Sequence, residues 1–180
     1  MAVSLACAAL AATTGCDRDV VAANARNCSS QDESCDFVGN VIKASVQSDA
    51  AGRQPMGWLQ YDSGLGMGRG HIDAQATCLD VAGATAIVGW SGTVSGSLGR
   101  FYLAGLARLR DLGPRDSGKD TYELVRGDLS QTPVAGPTTC SAFPGPFPSA
   151  VAPVSSNVEG DVFVFDAPVR SGGARGVLSR

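Results

Sequence analysis

A chain of 180 residues with a net charge of −3 lacks the basic surplus needed to neutralise phosphates, which excludes nucleic acid as a partner. Hydrophobic residues make up 44% and charged residues only 17%, with 23 glycines, a balance that favours strands and turns over helices with surfaces rich in Glu and Lys. The length suits one domain with a sizeable core.

Residues 1–15 are apolar and rich in alanine. The run closes on Ala12-Thr13-Thr14-Gly15-Cys16 and turns abruptly charged at Asp17-Arg18-Asp19. Crossing a bilayer as a helix takes about 20 apolar residues, more than this run supplies. A short apolar core, small residues and then a cysteine resembles the signal of bacterial lipoproteins, which is cut just before a cysteine that carries lipid. The resemblance implies a signal peptide over 1–15, a lipid on Cys16, export to the cell envelope and the membrane as a partner.

With Cys7 removed and Cys16 lipidated, Cys28, Cys35, Cys78 and Cys140 remain. Four cysteines allow three pairings. Cys28 and Cys35 flank a short polar loop, so the expected bridges are Cys28 with Cys35 and Cys78 with Cys140. Loop closure makes the first worth about 2.5 kcal/mol and the second about 4 kcal/mol. Zinc is not expected, because none of the spacings gives the close Cys-x-x-Cys pairs of such sites.

Residues 16–36 are short of large apolar side chains and read as the anchor and a polar tether. A β-domain is expected over 37–167, followed by a flexible tail over 168–180. Residues 41–46 and 56–61 form a first strand pair. The glycines between Tyr61 and His71 miss the Gly-x-Gly-x-x-Gly spacing and precede no helix, so they predict a strand connection. The strongest signal is a hairpin of 71–81 with 84–94 turning at Ala82-Gly83. Ile72, Ala74, Ala76 and Cys78 fall on one face, with Asp73, Gln75 and Thr77 opposite, the alternation of a half-buried strand. Further strands are expected at 101–110, with Leu106, Arg108 and Arg110 opposite Ala107 and Leu109, then at 121–126 and 160–166. The proline-rich stretch 141–153 reads as a long loop.

Residues 76–89, Ala-Thr-Cys-Leu-Asp-Val-Ala-Gly-Ala-Thr-Ala-Ile-Val-Gly, resemble the hairpin of a recurrent uncharacterised secreted bacterial β-domain, as do the acidic, glycine-containing loop 111–120 and the closing Gly160-Asp161-Val162-Phe163-Val164. The resemblance spans roughly residues 41–167 and implies a β-sandwich or barrel with no assigned activity. The expected fold is therefore all-β, an antiparallel β-sandwich or closed barrel of about seven strands.

Candidate chemistry is sparse. Gly89-Trp90-Ser91-Gly92-Thr93 approaches a nucleophile elbow, but Thr93 replaces the last glycine and a strand, not a helix, surrounds it. His71 is the single histidine, so any histidine-dependent catalysis must use it; its place at a strand start favours an exposed or capping role. Asp111, Asp116 and Asp120 supply oxygen ligands suited to calcium but lack the dense Asp-x-Asp-x-Asp-Gly pattern, and a solvated turn is the favoured reading. Trp58, Trp90, Tyr61, Tyr102 and Tyr122 fall on strands, where aromatics fill cores, though a face lined with them would also hold an apolar ligand or a sugar. No cofactor is implied. The expected function is a non-enzymatic binding or structural role for an envelope module whose partner is an unidentified envelope protein or small ligand. The alternatives are a β-barrel enzyme or small-ligand binder using His71 and an aromatic face, and a calcium-dependent adhesive module.

Overall fold

The computed structural model describes residues 18–27, 40–63, 70–97, 99–114, 118–140, 150–152 and 158–168. They form β1 (Arg18–Asn27), β2 (Val41–Asp49), β3 (Met56–Asp62), β4 (His71–Ala82), β5 (Thr85–Gly96), β6 (Gly99–Arg110), β7 (Thr121–Arg126), β8 (Ala150–Ala152) and β9 (Val158–Phe165). All pairings are antiparallel and build one sheet in the order β8-β7-β6-β5-β4-β3-β2-β1-β9. The sheet curls into a half-barrel around one apolar interior. All-β holds; the sandwich or closed barrel of seven strands does not, since there is one sheet and its edge strands β8 and β9 do not pair with each other.

Alternation decides what faces inward. Ile42, Ala44 and Val46 on β2, Leu59 and Tyr61 on β3, Ala86, Val88 and Trp90 on β5, and Leu103, Ala107 and Leu109 on β6 are all buried in one cluster. The β4–β5 hairpin was legible, but its two-residue turn is Gly83-Ala84, with Ala82 opposite Thr85. Cys78 does not share the face of Ile72, Ala74 and Ala76. A bulge between Ala76 and Cys78 shifts the alternation by one residue, so Leu79 goes inward and Cys78 outward.

Two further expectations are corrected. Residues 18–27 are not tether: β1 lies between β2 and β9 and buries Val20, Val21, Ala23 and Ala25. Small apolar side chains suffice there because the strand is crossed on both edges. The proline-rich stretch is not loop throughout, since β8 pairs with β7 at Val125 and Ala150. The remaining residues expected as tether, the glycine-rich 64–69, Cys16, Cys28, Cys35, Asp116 and the tail beyond 168 lie outside the described residues.

Carboxylates draw the ends of the sheet together. β9 pairs with β1 on one edge and comes alongside β6 on the other, where its backbone is held by side chains. Asp120 accepts from the N–H of Val162 through one oxygen (2.9 Å) and of Leu112 through the other (2.9 Å). Asp111 accepts from the Val164 N–H at 3.3 Å. At the end holding the β4–β5 turn, Asp19 accepts from the Ala167 N–H (3.0 Å) and Asp166 from the Gly83 N–H (2.7 Å). Burial pushes the Asp19 carboxyl up, partly offset by that Ala167 bond and reinforced by the nearby charges of Asp166, Asp49 and Asp80.

Candidate functional site

The outward side of β4–β6 divides into two halves. Residues 127–130 run along the edge of β6, and residues 136–140 lie over the half nearer the β4–β5 turn. Tyr102 and Ser130 exchange backbone hydrogen bonds of 2.8 and 2.9 Å, Thr77 donates to the Pro137 carbonyl at 2.8 Å, and Cys140 is disulfide-bonded to Cys78 with their Cα atoms 5.7 Å apart. The expected Cys78 pairing is thus the one observed. Leu106 and Ile87 pack against this bridge. Gly89 makes room for it, because a Cβ there would stand 2.3 Å from the Cys78 sulfur and 3.3 Å from that of Cys140.

The other half is uncovered among the described residues and carries a groove of about 450 Å3 lined by Trp58, Gln60, Asp73, Ala74, Gln75, Ser91, Gly92, Thr93 and Arg100. Strand register sets this geometry: Trp58 stands beside Gln75 and Gln75 beside Ser91, while one step along Gln60, Asp73 and Thr93 form a second row. Such cross-strand neighbours lie about 5 Å apart, and successive outward residues on a strand about 7 Å apart. Trp58 is 41% exposed, whereas Trp90 is fully buried. Parity explains the difference, since Trp58 shares its face with Gln60 and Asp62 while Leu59 and Tyr61 point inward. Just before it, Gly57 adopts φ 140°, and a Cβ there would fall 2.0 Å from the Ser45 carbonyl oxygen. Glycine therefore permits the close β2–β3 approach that sets Trp58 on the rim.

A hydrogen-bonded row continues from the groove to its distal end. The Gln60 amide donates to Asp73 Oδ1 at 2.8 Å, His71 Nε2 meets Asp73 Oδ2 at 3.0 Å and His71 Nδ1 meets Asp62 Oδ1 at 2.6 Å. The Asp62 hydrogen bond raises the His71 pKa; partial burial opposes this, and the charges of Asp62 and Asp73 add to it. Both ring nitrogens of His71 are thus paired with carboxylates. Arg100 Nη2 reaches Thr93 Oγ1 at 3.3 Å on the opposite wall.

The other candidates fall elsewhere. Ser91 is an outward residue within a regular strand, not on an elbow. Asp120 spends both oxygens and Asp111 one on backbone N–H groups, and among the described residues no group of three or more His, Cys, Asp or Glu is placed to hold a metal ion. Tyr61, Tyr122 and Trp90 are core. Of the groove residues, Gln60 and Arg100 were not singled out from the sequence, Gln75 was read only as an outward strand residue, and Ser91 and Thr93 entered only through the elbow-like stretch. Laying the two hairpins side by side by parity would have gathered Gln60, Gln75 and Ser91, because each alternates with a buried neighbour. No protein family, curated protein or solved structure matches the chain.

Proposed function

We propose that this is an exported module, anchored in the cell envelope through lipid on Cys16, whose task is to bind rather than to catalyse. The observation that carries the binding role is the groove around Trp58, an exposed aromatic framed by polar side chains on a sheet whose opposite face buries an apolar cluster. The Cys78–Cys140 bridge supports export, since disulfides persist in oxidising compartments. The paired state of both His71 nitrogens supports the non-enzymatic reading over catalysis, and the engagement of Asp111 and Asp120 with the backbone argues against a calcium adhesive.

Anchor and groove are arranged to suit each other. β1 starts at Arg18, so a lipid on Cys16 would hold the β4–β5 turn end of the sheet close to the bilayer. Gln75 lies seven residues up β4 from Ala82, which puts the groove roughly 20 Å further out. The first test is intact mass and peptide mapping of the chain from a membrane fraction, with and without reduction. A chain starting at lipidated Cys16 is expected; an unmodified Met1 with free thiols would overturn export and anchoring together. Binding is tested by acrylamide quenching of Trp58 fluorescence with and without solubilised envelope material, which is expected to shield the indole. Unchanged quenching would remove the binding role.

A further inference from the structure

We infer that the Trp58 groove is a saccharide site taking an uncharged glycan, with one sugar ring stacked on the indole. This assignment rests on the binding role proposed above and names its ligand class.

The lining excludes the other common ligands. Phosphate-bearing ligands call for several cations, and the groove holds a single guanidinium, Arg100, balanced by a single carboxylate, Asp73. Lipid or an apolar peptide calls for a contiguous apolar patch of a few hundred Å2, and Trp58 is the one large apolar side chain in the lining. What the groove does offer is an open aromatic face beside groups that both donate and accept. The amides of Gln60 and Gln75 and the hydroxyls of Ser91 and Thr93 each do both, Asp73 accepts and Arg100 donates. A pyranose is the complement of that set. One face of the ring presents C–H groups that pack on an aromatic plane, and its rim presents hydroxyls that each donate one hydrogen bond and accept two.

The polar groups are also held in place before any ligand arrives. Gln60 and His71 fix Asp73 from two sides, Arg100 leans on Thr93, and all of them stand on strands of one hydrogen-bonded sheet. Ordering the side chains in advance lowers the entropy lost on binding, which matters for an open groove where each sugar hydroxyl exchanges water for protein at small net gain. The volume of about 450 Å3 lies within the range of small-molecule sites, roughly 300 to 1,000 Å3.

The molecule carries its own reporter. Of two tryptophans, Trp58 is 41% exposed and Trp90 is fully buried, so acrylamide quenching of the purified full chain reads the groove. Maltotetraose, cellotetraose and tri-N-acetylchitotriose are added at millimolar concentrations, with inorganic phosphate and glycerol as controls. At least one glycan is expected to lower the quenching constant saturably, by roughly two-fold, as a ligand that buries most of its own surface covers the indole. Gln75→Ala and Arg100→Ala keep the reporter and are expected to weaken the effect by about three-fold or more, the loss of one neutral or charged hydrogen bond. Shielding by none of the glycans, or equal shielding by glycerol, overturns the saccharide assignment. If envelope material still shields Trp58 in that case, the binding role stands and only the ligand class falls; if neither does, both fall. Shielding that survives Gln75→Ala and Arg100→Ala undiminished also overturns it.

Discussion

The two halves of the outer face are built from the same strands and solve opposite problems. Beneath residues 136–140 the outward residues of β4–β6 are Cys78, Ile87, Gly89 and Leu106, small or apolar, while Asp80, Arg108 and Arg110 face outward closer to the β4–β5 turn. On the open half they are Asp73, Gln75, Ser91, Thr93 and Arg100. The change falls at the β4 bulge, where one extra residue turns Cys78 outward and ends the polar row. A face left bare by chance would keep apolar side chains that lack only a cover. The patch beneath the bridge is small or apolar and the groove is polar, so the groove is suited to water or to a ligand that resembles it.

The largest expected effect separates the halves by stability. The bridge closes a separation of 62 residues, and loop entropy makes its loss cost about 4 kcal/mol. Urea unfolding of Cys78→Ser/Cys140→Ser is therefore expected to show a much lower midpoint than the wild type. A midpoint within error of wild type would mean that the cover is held by other contacts. Gly89→Ala tests the same spot from the sheet side. Its Cβ collides with the bridge, an overpacking cost of about 1–3 kcal/mol, and that cost should largely vanish in a Cys78→Ala background.

Next comes the carboxylate clamp that draws the half-barrel together. Asp120→Ala leaves the N–H groups of Leu112 and Val162 without their acceptor, and at about 1.5–3 kcal/mol for a hydrogen bond to a charged group the loss is expected to be roughly 3 kcal/mol. Hydrogen exchange at the Val162 amide should accelerate first. Calcium should leave the wild-type melting temperature unchanged; a rise on adding calcium, reversed by chelator, would restore the calcium reading of the 111–120 loop.

Much of the sheet was legible because alternation is a strong signal where one face is buried. β2 through β7 and β9 were placed, and the outward face of β6 was read correctly from Arg108 and Arg110. The signal failed where side chains were small: Ala22, Ala23 and Ala25 gave β1 too little amphipathic contrast to distinguish it from a polar tether. It failed again at the bulge, since strict alternation has no term for an inserted residue. The groove was hidden for a different reason. Trp58 is a large aromatic of the kind that fills cores, and only its register against Leu59 and Tyr61 reveals that it points out. A polar row becomes a site only when four strands are laid side by side, and pairing order is a property of the fold, not of any one segment.

Single substitutions on the two halves should differ in kind. Leu106→Ala removes a buried side chain beside the disulfide and is expected to cost at least about 2 kcal/mol. Gln75→Ala, exposed on β4 with β5 in between, should stay within about 0.5 kcal/mol of wild type while reducing shielding of Trp58 by glycan. Equal costs at the two positions would show that the open half is structural after all.

The smallest effect lies at the distal end of the groove. His71 has a raised pKa in the fold, chiefly through its hydrogen bond to Asp62, so the folded chain holds the proton more tightly than the unfolded one. Its contribution to stability is therefore complete below the unfolded value of about 6.5 and is lost as pH rises through the folded value. Unfolding free energy measured from about pH 6 to about pH 8 should decline in the wild type and lose that component in His71→Gln. Asp62→Asn should flatten the slope more than Asp73→Asn does, because the Asp62 bond is the larger cause. Salt should shrink the whole effect, since the ring and both carboxylates are partly exposed. The reverse order of the two asparagine variants would place the stronger partner inside the groove, and His71 would then orient Asp73 at the cost of a far larger pH dependence in ligand binding than in folding.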